Sequence, residues 1–221
     1  VEWHERGRYS CTGRCFDIGI TTRQALGRWA ATGNPMAGST DPKTAGNGSL
    51  MRLAPVALRH FRNPAMLRDV AARQSRTTHA APEAVDACVA FADMLAKAIA
   101  GRPRHEVMQP RNAPFVGRVP EVLAGSWRGH TRNTIRSSGY VIDSLEAALW
   151  CVGRTGTFAD AVLLAANLGG DADTVAAITG QLAGAIYGKR GIPAHWIERI
   201  AWGHQIETMA LQLSAPAGWC S

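Results

Sequence analysis

Apolar residues recur at intervals of three and four along most of this 221-residue sequence, and no segment sustains the alternation typical of a strand. The clearest periodic segment begins at Pro82, a residue favoured in the first turn of a helix, and ends at Gly101. Its apolar stripe contains Val85, Cys88, Val89, Ala92, Leu95 and Ile99. The pattern predicts an all-α bundle, which we treat as a single domain over residues 1–221.

Caps and apolar stripes predict further helices. The predicted segments are Thr21 to Ala31, Ser49 to Phe61, Pro64 to Gln74, Asp143 to Val152, Thr157 to Asn167, Asp171 to Gly188 and Pro193 to Gln212. Thr157 and Asp160 form a T-x-x-D helix start, because a threonine oxygen accepts an early backbone N–H. Residues 1–20 and 33–48 are predicted to be loops, and residues 102–138 a variable connection with short helical pieces.

The charge balance points to an anionic ligand or to a solvated basic surface. The chain has 24 Lys and Arg against 17 Asp and Glu, a formal net charge of +7. Nucleic-acid binding is one interpretation of such a balance. However, the arginines are spread from Arg6 to Arg199 without a long block. We therefore predict no nucleic-acid partner, and a nucleic-acid-binding helical module stays an alternative that rests on charge alone.

The sequence favours a cytoplasmic protein with no membrane partner. No run of about 18 uninterrupted apolar residues occurs, and the first residues, with Glu2 and Glu5, do not resemble a signal peptide. The pair Cys11 and Cys15 with His4 offers too few ligands for a zinc site. An odd number of scattered cysteines favours reduced thiols over a disulfide framework; they are Cys11, Cys15, Cys88, Cys151 and Cys220.

The most informative segment is Gly169-Gly170-Asp171-Ala172-Asp173-Thr174, directly before an apolar helix. Two glycines allow a sharp turn. Two carboxylates at positions i and i+2, followed by a hydroxyl, place hard oxygen donors around one point, and Mg²⁺ and Mn²⁺ prefer such donors. The alternative is structural, because Asp and Thr in a first helical turn satisfy free N–H groups and the helix dipole. The residues alone leave both interpretations open.

A second segment, Gly46-Asn47-Gly48-Ser49, has the composition of an anion-binding turn. A glycine-rich turn that leads into a helix presents free N–H groups and the helix dipole to a ligand. Equally, Asn-Gly is a common turn and Ser49 a common helix cap, without any ligand. A third segment, Ser75 to His79, ends in a histidine before Pro82. A single histidine is more often packed or exposed than functional.

Taken together and in this order, these segments resemble the ADP-ribosylglycohydrolase family, which includes the dinitrogenase-reductase-activating glycohydrolases. The resemblance covers nearly the whole chain, and its specific part is NLGGDADTVAAITGQLAGAIYG at 167–188. The other similar stretches are Cys15 to Gly19, GNGSLMRLAP at 46–55, Thr78-His79, Gly139 to Val141 with Asp143, Leu145, Ala147 and Ala148, and Ile192-Pro193 with Trp196.

The resemblance implies an orthogonal helical bundle that holds a two-metal Mg²⁺ or Mn²⁺ centre. Asp171, Asp173 and Thr174 correspond to the family's C-terminal metal ligands, and the two aspartates are the expected catalytic residues. The implied reaction hydrolyses the bond between the terminal ribose C1″ of ADP-ribose and an acceptor. That acceptor is a modified protein side chain or a small molecule.

The resemblance also assigns substrate-binding positions. The turn from Gly46 to Ser49, including Asn47 and Gly48, corresponds to the family's contact with the ADP-ribose diphosphate. His79, Gly169 and Gly170 are expected near the ligand as well. Asp17 lies in a similar segment, but no role is assigned to it.

One departure from the family qualifies these expectations. The family places an acidic residue and a Thr-Asp-Asp group in its N-terminal part, and neither is found in this sequence. We therefore expect an N-terminally truncated bundle in which the two-metal centre lacks about half of its protein ligands. Two functions follow: an ADP-ribosylglycohydrolase, or a catalytically inactive ADP-ribose-binding remnant or fragment. Neither the acceptor nor the oligomeric state can be predicted from these residues.

Overall fold

A computed structural model describes residues 1–215, and their regular structure is α-helical with short 3-10 turns. The α-helices are α1 (Glu2–Arg6), α2 (Ile20–Thr32), α3 (Ala54–His60), α4 (Pro64–Arg76), α5 (Pro82–Ile99), α6 (Arg104–Val107), α7 (Val119–Ala124), α8 (Val141–Arg154), α9 (Phe158–Ala166), α10 (Ala172–Tyr187), α11 (Ala194–Ile197) and α12 (Gly203–Ser214). The 3-10 helices are Pro42–Thr44, Ser126–Gly129 and Lys189–Gly191. Strand-like pairing within residues 1–215 is limited to two isolated bridges. The predicted all-α class is confirmed.

Helix α8 is the most deeply buried element, and it contacts α5, α9 and α10. Every residue from Val141 to Val152 is buried, as expected of a helix that is apolar around most of its circumference. The buried carboxylates on it need hydrogen-bond partners. Asp143 accepts a hydrogen bond from Ser138, and Glu146 accepts one from Ser126. Both carboxylates lie in the N-terminal half of this helix, and each has a hydroxyl partner.

Helix α5 connects α3 and α4 with α8 and α10, because it contacts all four of these helices. Phe91 and Leu95 are fully or almost fully buried, and burial of each such side chain contributes about 1.5–3 kcal/mol. Val89 and Ile99, at the edge of the predicted stripe, are only partly buried. The predicted helix from Pro82 is confirmed, and so is the cap at Thr157, whose Oγ1 accepts from the Asp160 N–H at 3.1 Å.

Two predicted helix starts were wrong. The segment from Ser49 to Arg52 forms turns, and α3 begins at Ala54 without a side-chain cap. The reason is burial, since Leu50 and Leu53 are fully buried and the turn brings both into the core. Helix α2 begins at Ile20 after Gly19, so the two threonines that follow lie inside the helix instead of capping it.

Two further segments differ from the prediction. The predicted helix from Pro193 to Gln212 is divided into α11 and α12, because Trp202 adopts a left-handed φ of 58° between them. Residues 1–20, predicted to be a loop, contain α1, which is supported by the Glu2–Arg6 ion pair of 3.5 Å and ended by Gly7. Cys220 lies outside the described residues. No helix within residues 1–215 has the length and apolar character needed to cross a membrane.

Candidate functional site

The segment before α8 brings the two predicted motifs together. The Asn47 N–H donates to the carbonyl of Gly139 at 3.1 Å, and the Asp171 N–H donates to the carbonyl of Ser137 at 3.1 Å. Residues 137–139 therefore lie between the turn at 46–49 and the first turn of α10. Backbone hydrogen bonds on both sides fix the distance between motifs that are far apart in the sequence.

A side-chain hydrogen bond joins the two motifs directly. Asn47 Nδ2 donates to Asp171 Oδ2 at 2.6 Å and to Ser144 Oγ at 2.7 Å. Ser144 Oγ in turn donates to the carbonyl of Ser138 at 2.8 Å, so it accepts from the amide. Asn47 is buried, and these contacts hold the Asp171 carboxylate in one orientation.

The direction of the Asp171 side chain distinguishes a ligand site from a simple helix cap. Asp171 occupies the N-cap position of α10, but its side chain makes no capping hydrogen bond. Its carboxylate instead accepts from Asn47 and lines a pocket with Asp173 and Thr174. A carboxylate that serves only the helix would bind the free N–H groups of the first turn. The arrangement therefore favours a ligand-binding role for this turn.

The pocket has a volume of about 330 Å³. Its lining residues are Asp17, Gly19, Ile20, Thr21, Thr22, Gly46, Asn47, Gly48, Met51, His79, Gly139, Asp171, Asp173 and Thr174. Seven of the ten residues proposed from the sequence are in this lining. The other three, Ser49, Gly169 and Gly170, lie outside it.

Ser49 lies beneath the turn and not in the pocket. Its side chain is fully buried, and its Oγ accepts from Ser75 Oγ at 2.8 Å and lies 3.4 Å from Cys88 Sγ. Burial raises the pKa of the Cys88 thiol, which keeps it protonated. The Ser49 side chain therefore ties the turn to α4 and α5 and does not cap a helix.

Gly169 and Gly170 shape the turn before α10, with φ values of 77° and 61°. A Cβ atom on Gly170 would lie 2.1 Å from the carbonyl oxygen of Ser137, whereas nothing lies within 4 Å of a Cβ on Gly169. A similar restriction holds at Gly48, where a Cβ would lie 2.7 Å from Cε1 of His79. Glycine at 48 and 170 is therefore required by close approach of neighbouring atoms.

The turn at 46–49 retains unused backbone donors. The N–H groups of Leu50 and Met51 both donate to the carbonyl of Asn47, at 2.9 and 3.1 Å. Within residues 1–215, the N–H groups of Gly48 and Ser49 have no such acceptor. Successive free N–H groups in a turn form a concavity that binds anions. These free N–H groups support the interpretation of the motif as an anion-binding turn.

His79 lies beside this turn as a buried, neutral side chain. Thr78 Oγ1 accepts from Arg52 Nη2 at 2.8 Å and lies 2.8 Å from His79 Nδ1. The Thr78 hydroxyl thus links the ring to Arg52, and it pairs with either tautomer of the ring, because a hydroxyl both donates and accepts. The Nε2 atom faces Gly46 and Gly48. Burial and the Arg52 cation lower the pKa of His79 to about 4, so the ring is uncharged at neutral pH.

The pocket is acidic although the chain as a whole is basic. Three carboxylates, Asp17, Asp171 and Asp173, are in its lining, which contains no Lys or Arg. Such a pocket attracts cations and repels an anionic ligand unless a cation is bound as well. Across residues 1–215, no three His, Cys, Asp or Glu side chains are close enough to hold a metal by themselves. Hydroxyl oxygens such as that of Thr174, and water, would have to complete any coordination.

Some lining residues were not identified from the sequence. Asp17 lies in the pocket with a left-handed φ of 49°, which is uncommon for a residue other than glycine. The similarity of the segment from Cys15 to Gly19 was the available signal, but it indicated no role. Thr21 and Thr22 were assigned to capping and instead line the pocket. No sequence pattern indicated that Thr78 orients His79.

Comparisons with known proteins give a consistent result. The family model described as ADP-ribosylglycohydrolase matches residues 1–220. ADP-ribosylarginine hydrolase Tri1 of Pseudomonas putida (strain GB-1) is 46% identical over 215 residues, which are 96% of this chain and 57% of that protein. ADP-ribosyl-[dinitrogen reductase] glycohydrolase of Rhodospirillum rubrum is 32% identical over 187 residues, 85% of this chain and 61% of that protein.

A solved structure supports the fold. A chain of an ADP-ribosylglycohydrolase-related protein complex is 41% identical to this chain and superposes with a TM-score of 0.81. The match covers 89% of this chain and 68% of that chain. The chain thus spans less than two thirds of the length of the curated relatives it matches.

Proposed function

The chain belongs to the ADP-ribosylglycohydrolase family, and from that premise we propose that its acidic pocket binds ADP-ribose and hydrolyses its bond to a protein side chain. The hydrogen bond of 2.6 Å between Asn47 and Asp171 is the observation on which this proposal mainly rests. It joins the diphosphate-binding turn expected from the sequence to the predicted metal ligands in a single pocket.

Recognition of the diphosphate is assigned to the turn at 46–49 and to His79. The free N–H groups of Gly48 and Ser49 are suited to phosphate oxygens. We assign the ring proton of the uncharged His79 to Nε2, the nitrogen next to the same turn, so that the ring donates to the phosphate. Neutral donors bind an anion without adding a positive charge that would compete with a metal ion for the nearby carboxylates.

Mg²⁺ or Mn²⁺ is the proposed cofactor, held by Asp171, Asp173 and Thr174. Two carboxylates and a hydroxyl are hard oxygen donors of the kind that these ions prefer, so the residues fit one ion that also keeps several waters. An ion at this position would orient ribose hydroxyls and polarise a water molecule. A second ion would need donors beyond these three, so we assign only one ion to this set.

The proposed reaction breaks the bond between C1″ of the terminal ribose and the acceptor nitrogen, and a water oxygen forms the new bond to C1″. The proton released by water goes to the leaving nitrogen. Positive charge develops on the ribose ring in the transition state. The carboxylates of Asp17, Asp171 and Asp173 surround the pocket and would stabilise that charge.

Arginine is the acceptor that we propose. The relative from Pseudomonas putida, at 46% identity, is named as a hydrolase of ADP-ribosylarginine. The more distant relative from Rhodospirillum rubrum is named for a protein substrate, dinitrogen reductase. An arginine-linked ADP-ribosyl group on a protein is consistent with both names.

A chimaera tests the proposal. This chain replaces the matched 57% of the Pseudomonas putida hydrolase, and release of ADP-ribose from an ADP-ribosylated arginine protein is measured with Mn²⁺ or Mg²⁺. The unmodified hydrolase is the positive control. Turnover that depends on Asp171 would support the assignment. A folded chimaera that binds ADP-ribose but shows no turnover would favour the catalytically inactive alternative, and loss of both would refute the proposal.

A further inference from the structure

A second and larger depression lies at the opposite end of α8. Its volume is about 680 Å³, and it is formed by α6, the 3-10 helix at Ser126–Gly129 and the C-terminal end of α8. Because α8 has 14 residues, its two ends are about 20 Å apart. The two depressions share no lining residue. This depression is therefore separate from the candidate active site.

The lining of this second depression is cationic. Arg104, Arg128, Arg154 and His105 contribute to it, and it contains no Asp or Glu. Within residues 1–215, none of the three arginines lies within 4.0 Å of a carboxylate, unlike Arg68, whose Nη2 is 3.0 Å from Asp93. Three like charges around one depression repel each other unless an anion is present.

Glu146, a carboxylate on the same face of α8 as Trp150, does not neutralise the three arginines of the depression. Glu146 lies one helical turn before Trp150 and accepts a hydrogen bond from Ser126. Its other neighbours with nitrogen donors are Arg118 at 3.9 Å and His130 at 3.5 Å. Glu146 is therefore already paired inside the core, and the arginines of the depression have no counter-ion in the described chain.

The arginines are held in place by the fold. Nη2 of Arg104 donates to the carbonyls of Val152 and Gly153, at 2.6 and 2.7 Å. Arg128 Nη2 donates to the carbonyl of Met108, and Arg154 Nη2 donates to that of His130. The Nε and Nη1 groups of these arginines have no acceptor in the described chain. Donors that are already fixed lose little conformational entropy when they bind a phosphate.

Two tryptophans form an aromatic wall beside these charges. Trp127 and Trp150 are only 8% and 3% exposed. The guanidinium of Arg128 lies 4.9 Å from the ring centroid of Trp127, and that of Arg154 lies 4.9 Å from Trp150. Guanidinium planes stacked on indoles leave flat surfaces on which an aromatic base can stack, while their N–H edges bind anions.

We propose that this depression is a second ligand site, which binds the phosphate of a nucleotide through Arg104, Arg128 and Arg154. The absence of a counter-ion, the donors fixed by backbone carbonyls and the tryptophan wall all favour a phosphorylated aromatic ligand. The site is independent of the proposed hydrolysis, because it lies at the other end of α8.

NMR titration of the 221-residue chain tests this inference. AMP is added and the indole N–H resonances of Trp127 and Trp150 are followed, with adenosine as the probe that lacks phosphate. We expect AMP to shift both resonances and adenosine to shift neither. In the Arg128→Gln/Arg154→Gln double variant, AMP affinity at this site should fall by at least about tenfold. His79→Ala should leave these shifts unchanged, which separates this site from the candidate active site.

Arg62→Gln is the matched control, because Arg62 also stacks on a ring, that of Phe61 at 4.2 Å, and also donates to a carbonyl, that of Ser214. It should bind AMP as the wild type does. The inference is wrong if AMP leaves both indole resonances unshifted, or if adenosine shifts them equally. It is also wrong if Arg62→Gln weakens AMP binding as much as the double variant, since general surface charge would then explain it.

Discussion

The two ends of helix α8 carry pockets of opposite charge. At the N-terminal end, three carboxylates line a pocket without Lys or Arg. At the C-terminal end, three arginines and a histidine line a depression without Asp or Glu. The buried part of α8, from Val141 to Val152, separates them. One buried core helix thus lies between two pockets whose linings carry opposite charge.

The polar groups at the two ends differ in what they do for the fold. Asp171 does not cap its own helix, and the Asn47 amide holds its carboxylate in the pocket. Arg104, in contrast, binds the last carbonyls of α8, a stabilising position for a cation. At the N-terminal end of α8, the Asp171 carboxylate faces the pocket and does not stabilise its own helix. At the C-terminal end, the arginines stabilise the helix and also line the depression.

The largest expected effect is at the acidic end of α8, which is the N-terminal end, where Asp17, Asp171 and Asp173 line the pocket. Asp171→Asn removes one charge but little volume, and we expect turnover of the chimaera to fall by more than about 100-fold. Thermal unfolding should change little. The control is Asp69→Asn on α4, an exposed carboxylate whose ion-pair partner is Arg73, at 3.1 Å. Turnover of the Asp171→Asn variant near that of the control would refute the ligand assignment.

Alanine variants of the two glycines before α10, Gly169 and Gly170, should differ in their free energy of unfolding. Gly169→Ala should cost about 1–2 kcal/mol, the cost of a left-handed backbone alone. Gly170→Ala should cost at least about 3 kcal/mol, because its Cβ would also lie 2.1 Å from the Ser137 oxygen. Urea unfolding of both variants measures the difference. Equal losses would mean that close approach of residues 137–139 to this turn is not required.

The buried His79 side chain makes the free energy of unfolding depend on pH. The pKa of His79 is about 4 in the folded chain, against 6.5 for an ordinary histidine. The unfolded chain therefore takes up this proton first, and the free energy of unfolding should fall between pH 6.5 and pH 4. The loss from His79 should reach ~3 kcal/mol at pH 4, and it should become negligible about one pH unit above 6.5.

The His79→Gln variant isolates this contribution in urea unfolding at several pH values, because the two chains differ in no other titratable group. The variant should lose less stability than the wild type over this range. His204→Gln, a change at an exposed histidine on α12, should follow the wild-type curve. Parallel curves for wild type and His79→Gln would contradict the burial of a neutral ring.

The smallest expected effect concerns the orientation of that ring. Thr78→Val removes the hydroxyl that pairs with His79 Nδ1, so the proposed Nε2–H tautomer loses its hydrogen-bond partner at Nδ1. We expect ADP-ribose affinity to fall about tenfold and the ¹⁵N shifts of the ring to indicate a change of tautomer. Thr77→Val is the control, because Thr77 also contacts Arg52 but not the ring. Equal affinity in both variants would remove Thr78 from the site.

Much of the acidic end could be predicted from the sequence because its chemistry is local. The glycines and Asn47 stand in one short motif, and Asp171, Asp173 and Thr174 stand in another at the start of α10. Periodicity located most of the helices. Ser49 was assigned to substrate binding, but packing against Ser75 decides its direction. Such a contact joins different helices and leaves no short-range pattern.

The cationic end could not be predicted from the sequence for a related reason. Arg104, Arg128 and Arg154 are separated by more than 20 residues each, and the packing of α6 and of the 3-10 helix Ser126–Gly129 against α8 brings them together. In the sequence, these three arginines are spaced like the scattered basic residues of an ordinary protein surface. The break at Trp202 was missed similarly, because the apolar pattern continues across it.

Calorimetric titration of Mn²⁺ and Mg²⁺ into the 221-residue chain, with and without ADP-ribose, tests the central claim most directly. We predict that ADP-ribose binds more tightly in the presence of the metal, that the metal binds more tightly in the presence of ADP-ribose, and that Asp171→Asn abolishes this coupling. Absence of ADP-ribose binding both with and without metal would contradict the assignment of this pocket.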